Sequence, residues 1–208
     1  MADRPELPYE KAIEESAKAT GKALDVVQSM SPAIANAYNF LIGDRIGAAR
    51  ERNLDAITRK TRKILEERKV QETAPIPEQI GVQLLEEGQG ETREAIQDLY
   101  AALLANAMDE KFAGDVRPEF IQTVKRLQPI DALILRTIML HHMEPSNRVF
   151  GSNHIYEALK GYRPSAIEVS LGNLQKLGCL GSHPQGMLMS HFGMEFMTAC
   201  DPHTTSNS

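Results

Sequence analysis

Four groups of residues in this chain have types suited to chemistry, and in each the spacing falls short. Ser16 to Lys22 reads SAKATGK, close to a phosphate-binding loop, in which glycine-rich backbone and a lysine cradle phosphate. The first glycine and the closing Ser/Thr of that pattern are missing, with Ala23 in the last place. His141, His142 and His154 carry imidazoles that suit transition metals, but no HxxxH or HExxH spacing joins them. Cys179 and Cys200 have no second pair to complete a structural zinc site, so reduced thiols are expected. The carboxylate pairs Glu86/Glu87 and Asp109/Glu110 fall in polar stretches that read as solvated helix ends. No nucleophile, base and orienting group can be assembled from motifs. The expectation is a non-enzyme with no metal and no cofactor.

Two surfaces remain as candidates, and the first lies in the C-terminal eighty residues. Pro129 to Met143 reads as a helix with Asp131 near its positive end. Ser152 is placed to cap a second helix carrying Ile155, Ala158 and Leu159, stopped by Gly161. Ser165-x-x-Glu168 has the form of a capping box for a third helix with Ile167, Leu171 and Leu174, ended by Gly178. Strand-like runs Cys179 to Ser182 and Gly186 to Ser190 flank a turn, and a last helix runs from His191 to Cys200. Three helices followed by a hairpin predict a winged helix-turn-helix over residues 129–202. The outward face of its third helix offers Arg163, Ser165, Val169, Asn173 and Lys176 for a protein partner or DNA. Glu168 offsets Lys176, and the turn Ser182 to Gln185 brings no Lys or Arg, so the phosphate attraction that DNA binding requires is weak. A protein partner is favoured over DNA.

The second surface belongs to the one basic segment, residues 43–72, with 9 basic and 6 acidic groups. Ser31-Pro32 forms a helix entry, and a long amphipathic helix is predicted from there to about Lys69. Leu54, Ile57, Ile64 and Leu65 share one side with Ile46, while Arg45, Arg52, Arg59 and Lys63 line the other. Those four cations suit phosphate or an anionic membrane. The i,i+4 pairs Asp55–Arg59, Arg62–Glu66 and Lys63–Glu67 instead favour a solvated, half-neutralised face. The apolar side leaves a homo-oligomer through a short coiled-coil seam as a further option.

The elements that position both surfaces are helical. The chain has 208 residues, no Trp, 5% aromatic residues and a net charge of −5, which suits a mainly α fold and argues against a bulk nucleic-acid binder. Helices are expected over residues 1–72, then, after the break at Thr73-Ala-Pro-Ile-Pro77, at Glu78 to Glu87, Thr92 to Met108 and Pro118 to Leu127. Apolar pairs four apart (Leu99/Tyr100, Leu103/Leu104, Ala107/Met108) predict a one-sided stripe on the helix Thr92 to Met108. The fold class is therefore mainly α: an N-terminal helical domain (1–72), a central helical segment (73–128), the winged helix with its small β-hairpin (129–202) and a disordered tail (203–208). The acidic start MADRPELPYEKAIEES lacks the layout of a secretory signal, and the longest apolar run, Ala33 to Ile42, is too short to span a bilayer. A cytoplasmic location is expected.

The segment DLYAALLANAMD, followed by VRPEFIQTVKRLQPIDALIL, resembles the Abi-alpha family of bacterial and phage-derived proteins. Gly43-Asp-Arg-Ile46, Ile64-Leu-Glu-Glu-Arg68 and Pro75-Ile-Pro77 resemble the same family upstream, and Leu188-Met-Ser-His-Phe-Gly193 with Phe196 and Ala199-Cys200 downstream. The resemblance covers roughly residues 20–202. It implies abortive-infection phage defence, with an unknown phage or host protein as partner, and brings no catalytic motif to transfer.

Overall fold

The computed structural model describes residue 34 and residues 36–38, 47–141 and 149–203. The helix expected at Tyr9 to Met30, the Ser31-Pro32 entry, Arg45 and His142 lie outside the described residues. Among those described, the elements in chain order are α1 (Gly47–Glu67), α2 (Glu78–Gly88), α3 (Glu94–Met108), a 3-10 turn (Ala113–Asp115), α4 (Pro118–Arg126), α5 (Pro129–His141), β1 (Val149–Phe150), α6 (Ser152–Ala158), α7 (Pro164–Lys176), β2 (Leu180–His183), β3 (Gly186–Met189) and α8 (His191–Ala199). The protein is mainly helical with one small antiparallel sheet.

Prolines and glycines set most of the boundaries. Pro118 and Pro164 occupy the first helical turn, where a missing N–H is harmless. Gly178, at φ +77°, closes α7 with the Cys179 N–H on the Leu174 carbonyl and the Gly178 N–H on that of Gln175. The same six-to-one and five-to-two bonds close α1, but the left-handed position there is Lys69, at φ +58°.

The one-sided stripe expected on α3 is wider in the fold. Ile96, Gln97 and every residue from Tyr100 to Met108 are buried, so α3 is covered on nearly all sides. Its alanines let α1 approach closely: Leu54, Ile57, Ile64 and Leu65 are buried in the same core, and Thr61 donates to the Ala101 carbonyl at 3.3 Å. The apolar side of α1, read as a seam for a second copy, is thus covered by this chain's own α3. On another side, Phe120 of α4 meets Phe192 and Phe196 of α8 edge-on at 5.5 and 5.8 Å. One continuous cluster of buried residues runs from Ile34 to Cys200.

Residues 129–203 hold the expected helices and hairpin, plus one strand the sequence reading omitted. β1 pairs with β3, and β3 with β2, giving the sheet order β1-β3-β2. Two expected caps are corrected. The first residue of α7 is Pro164 and its N-cap is Arg163, so Ser165 lies inside the helix and forms no capping box. Ser152 is likewise the first residue of α6, after Gly151. The hydroxyl that does cap a helix is Ser190, which accepts from the Gly193 N–H at 2.9 Å at the start of α8.

Candidate interaction surface

The buried side of α7 is Ile167, Ser170, Leu171 and Leu174, and its outer side carries the predicted contact residues. Arg163, Ser165, Val169 and Lys176 are all exposed. Val169 is 73% exposed, and Tyr162, just before the helix, 46%. Asn173 is the exception. It is half-buried, and its amide donates to Asp131 Oδ2 at 2.8 Å and to the Arg126 carbonyl at 3.4 Å. Asp131, 1% exposed, also accepts the Gln128 N–H at 2.8 Å, so this carboxylate ties the start of α5 to α7. Asn173 flanks the buried row rather than opposing it. The remaining outer face is an exposed Val and Tyr among single charges.

Three of the four cations of the basic stripe fall among the described residues. Arg52, Arg59 and Lys63 are exposed on α1. Arg59 pairs with Asp55 at 2.8 Å and Lys63 with Glu67 at 3.8 Å, as the spacing predicted. These pairs weaken the attraction such a stripe would offer to phosphate.

Among the described residues no group of three or more His, Cys, Asp or Glu is placed to hold a metal ion, and no helix is long and apolar enough to cross a membrane. His154 is exposed on α6. Both cysteines are buried and free. Burial, then the nearby Asp131 charge, pushes the Cys179 thiol up to about 12; burial raises Cys200 as well. Neither offers a thiolate at neutral pH.

Two polar joints were missed by the sequence reading. Arg68, just past α1, donates to Asn106 Oδ1 at 2.6 Å and to the carbonyls of Asp201 and Pro202 at 3.0 Å each. It also lies 3.7 Å from Asp109 and over the Phe112 ring. Asn106 in turn donates to the Ala199 carbonyl at 2.6 Å. Together they fasten the end of α8 to α1 and α3. In the second joint, Arg93 grips Glu91 through three N–H groups at 2.6–2.9 Å and reaches the Leu127 carbonyl at 3.0 Å. Burial opposes the Glu91 charge, but the Arg93 hydrogen bonds and charge prevail and hold its carboxyl below the usual range. The Arg68 joint has no local signature, because its partners lie 38 to 134 positions away; in the second, the Glu91–Arg93 pair is local but its reach to Leu127 spans 34 positions.

With this geometry in place, comparison with known proteins is informative in one respect. No curated protein matches the chain, and no solved structure does. A family model described as "Abortive infection alpha" matches residues 49–191, a narrower span than the resemblance read from the motifs. The match runs from α1 to the first residue of α8 and covers more than half of the sequence, and the chain belongs to the abortive infection alpha family.

Proposed function

We propose that this protein acts in abortive infection by binding a phage or host protein through the outer face of α7, and that it performs no catalysis itself. The observation that carries this reading is the side chain of Val169, 73% exposed in the middle of the helix. An apolar residue presented on a rigid element with few charges around it suits a protein partner better than a phosphate backbone. Affinity capture from phage-infected cells tests it. Wild-type protein should enrich a specific partner, and a folded Val169→Asp variant should lose it. Equal capture by both would refute the assignment of the surface.

A second reading is favoured by topology. The order α5-β1-α6-α7-β2-β3 with sheet order β1-β3-β2 supports reading these elements as a winged helix-turn-helix, a fold that many DNA-binding regulators use. With Asn173 engaged by Asp131, the exposed cations of the predicted set are Arg163 and Lys176. This reading expects duplex binding that weakens steeply with salt and is lost in the Arg163→Ala, Lys176→Ala double variant. Absence of a gel shift at low salt would eliminate it.

A further inference from the structure

Away from α7, a cleft of about 390 Å³ opens where the α2–α3 connection passes α1 and α4. That volume lies in the range of small-molecule sites. Its walls include Arg50, Glu86, Glu87, Gln89, Glu91 and Tyr100. Most of the charges are already committed: Glu91 is held by Arg93, and both oxygens of Glu87 lie 2.9 Å from Lys125 Nζ. Four groups are left over: Tyr100, Gln89 and Glu86 can each accept a hydrogen bond, and Arg50 at the rim donates.

Tyr100 lines the cleft and is 1% exposed; its hydroxyl has no hydrogen-bond partner among the described residues but keeps access to solvent, so a ligand donor would replace water there. Beside it, Gln89 Oε1 is buried without a partner. The orientation of that amide is set by its other end, since Nε2 donates to the Glu86 carbonyl at 2.9 Å; the Gln89 backbone carbonyl is held by Asn53 at 2.8 Å. The third group is the exposed carboxylate of Glu86, which forms no ion pair among the described residues. Carboxylates also bear on the Tyr100 phenol: burial first, then the charges of Glu87 and Glu91, push it up, with Arg93 opposing them. Unpartnered acceptors beside carboxylates call for a cation rich in N–H donors.

We propose that this cleft binds a guanidinium or primary ammonium group, with Tyr100 Oη and Gln89 Oε1 accepting its N–H donors and Glu86 supplying the counter-charge. A guanidinium fits the set best, because its planar array of donors reaches several acceptors at once, where an ammonium behaves as a point charge. Arg50 at the rim forms no ion pair among the described residues and is free to meet a carboxylate carried by the same ligand.

The test is titration of the full chain, followed by calorimetry and amide NMR, with agmatine, with L-arginine and with a capped arginine tripeptide. Saturable binding with shifts centred on the Gln89 and Gly90 amides supports the site. A preference for agmatine or arginine identifies a free small molecule; a preference for the tripeptide identifies a side chain of a peptide. Tyr100→Phe removes a single oxygen, and Glu86→Gln lies at an exposed position. Each should weaken binding about tenfold with the melting temperature within about 3 °C of wild type. No saturable binding of any of the three probes at ~5 mM, or binding unchanged in both variants, would overturn the proposal.

Discussion

Replacing Arg68 with Met should loosen the C-terminal helix without disturbing α7. Met keeps much of the aliphatic stem against Phe112 and removes the guanidinium. The side chain of Arg68 is 11% exposed and that of Asp109 is 8% exposed, so the loss leaves a buried carboxylate without its cation. Removing one partner of such a pair costs about 3–5 kcal/mol. Asn106 Oδ1 also loses its 2.6 Å donor, a charged hydrogen bond of about 1.5–3 kcal/mol that overlaps with the first figure rather than adding to it. The Asp201 and Pro202 carbonyls contribute less, since both residues are partly exposed and water replaces the lost donor. The expected loss is therefore ~3–5 kcal/mol, which for a protein of this size lowers the melting temperature by roughly 6–20 °C. Urea denaturation gives the stability, and hydrogen exchange locates the loss: amides of α8 should lose protection more than those of α7. Arg68→Lys should fall in between, because a point charge retains attraction to Asp109 but cannot serve three separate acceptors. A loss below ~1 kcal/mol, or uniform loss of protection, would refute the reasoning, because an exposed ion pair is worth only that much.

Two further perturbations follow from the same structure. Because the Glu91 carboxyl is depressed in the folded state, its contribution is fully present above the ordinary glutamate range near 4.5 and is lost as pH falls through its lower folded value. Stability curves of wild type and Glu91→Gln should diverge above about pH 5 and converge as pH falls below the ordinary glutamate range; a constant gap would contradict this. Lys69→Gly should stabilise the protein by about 0.5–1 kcal/mol, since glycine takes the left-handed position at φ +58° without Cβ strain. Thermal denaturation decides its sign.

Local chemistry made most helices legible. Pro118 and Pro164 sit in first turns and Gly178 at an end, as their backbone preferences require. Where two local signals competed, the stronger decided: the fixed φ of Pro164 starts α7 one residue before Ser165 is reached, so the apparent capping box is not used. The two-residue strand β1 has no period of its own to read and exists only because β3 offers it an edge. Asn173 was misplaced for a related reason. Spacing along α7 sets it beside the core row, but only the approach of Asp131, 42 positions earlier, turns it inward. The α8 anchor is the extreme case, with Arg68 bonding across 133 and 134 positions. Contacts over such separations leave no periodic trace in a single sequence. The exposed Val169, by contrast, was placed correctly from the helical period alone.

The α7 assignment is tested most directly by phage plating on cells expressing wild type or Val169→Asp, with protein levels and melting temperatures matched. A solvent-exposed substitution of this kind changes stability by about 0.5 kcal/mol or less. If the outer face of α7 receives the partner, the variant should lose protection against a phage that the wild type restricts. Full protection by the folded variant would contradict the assignment.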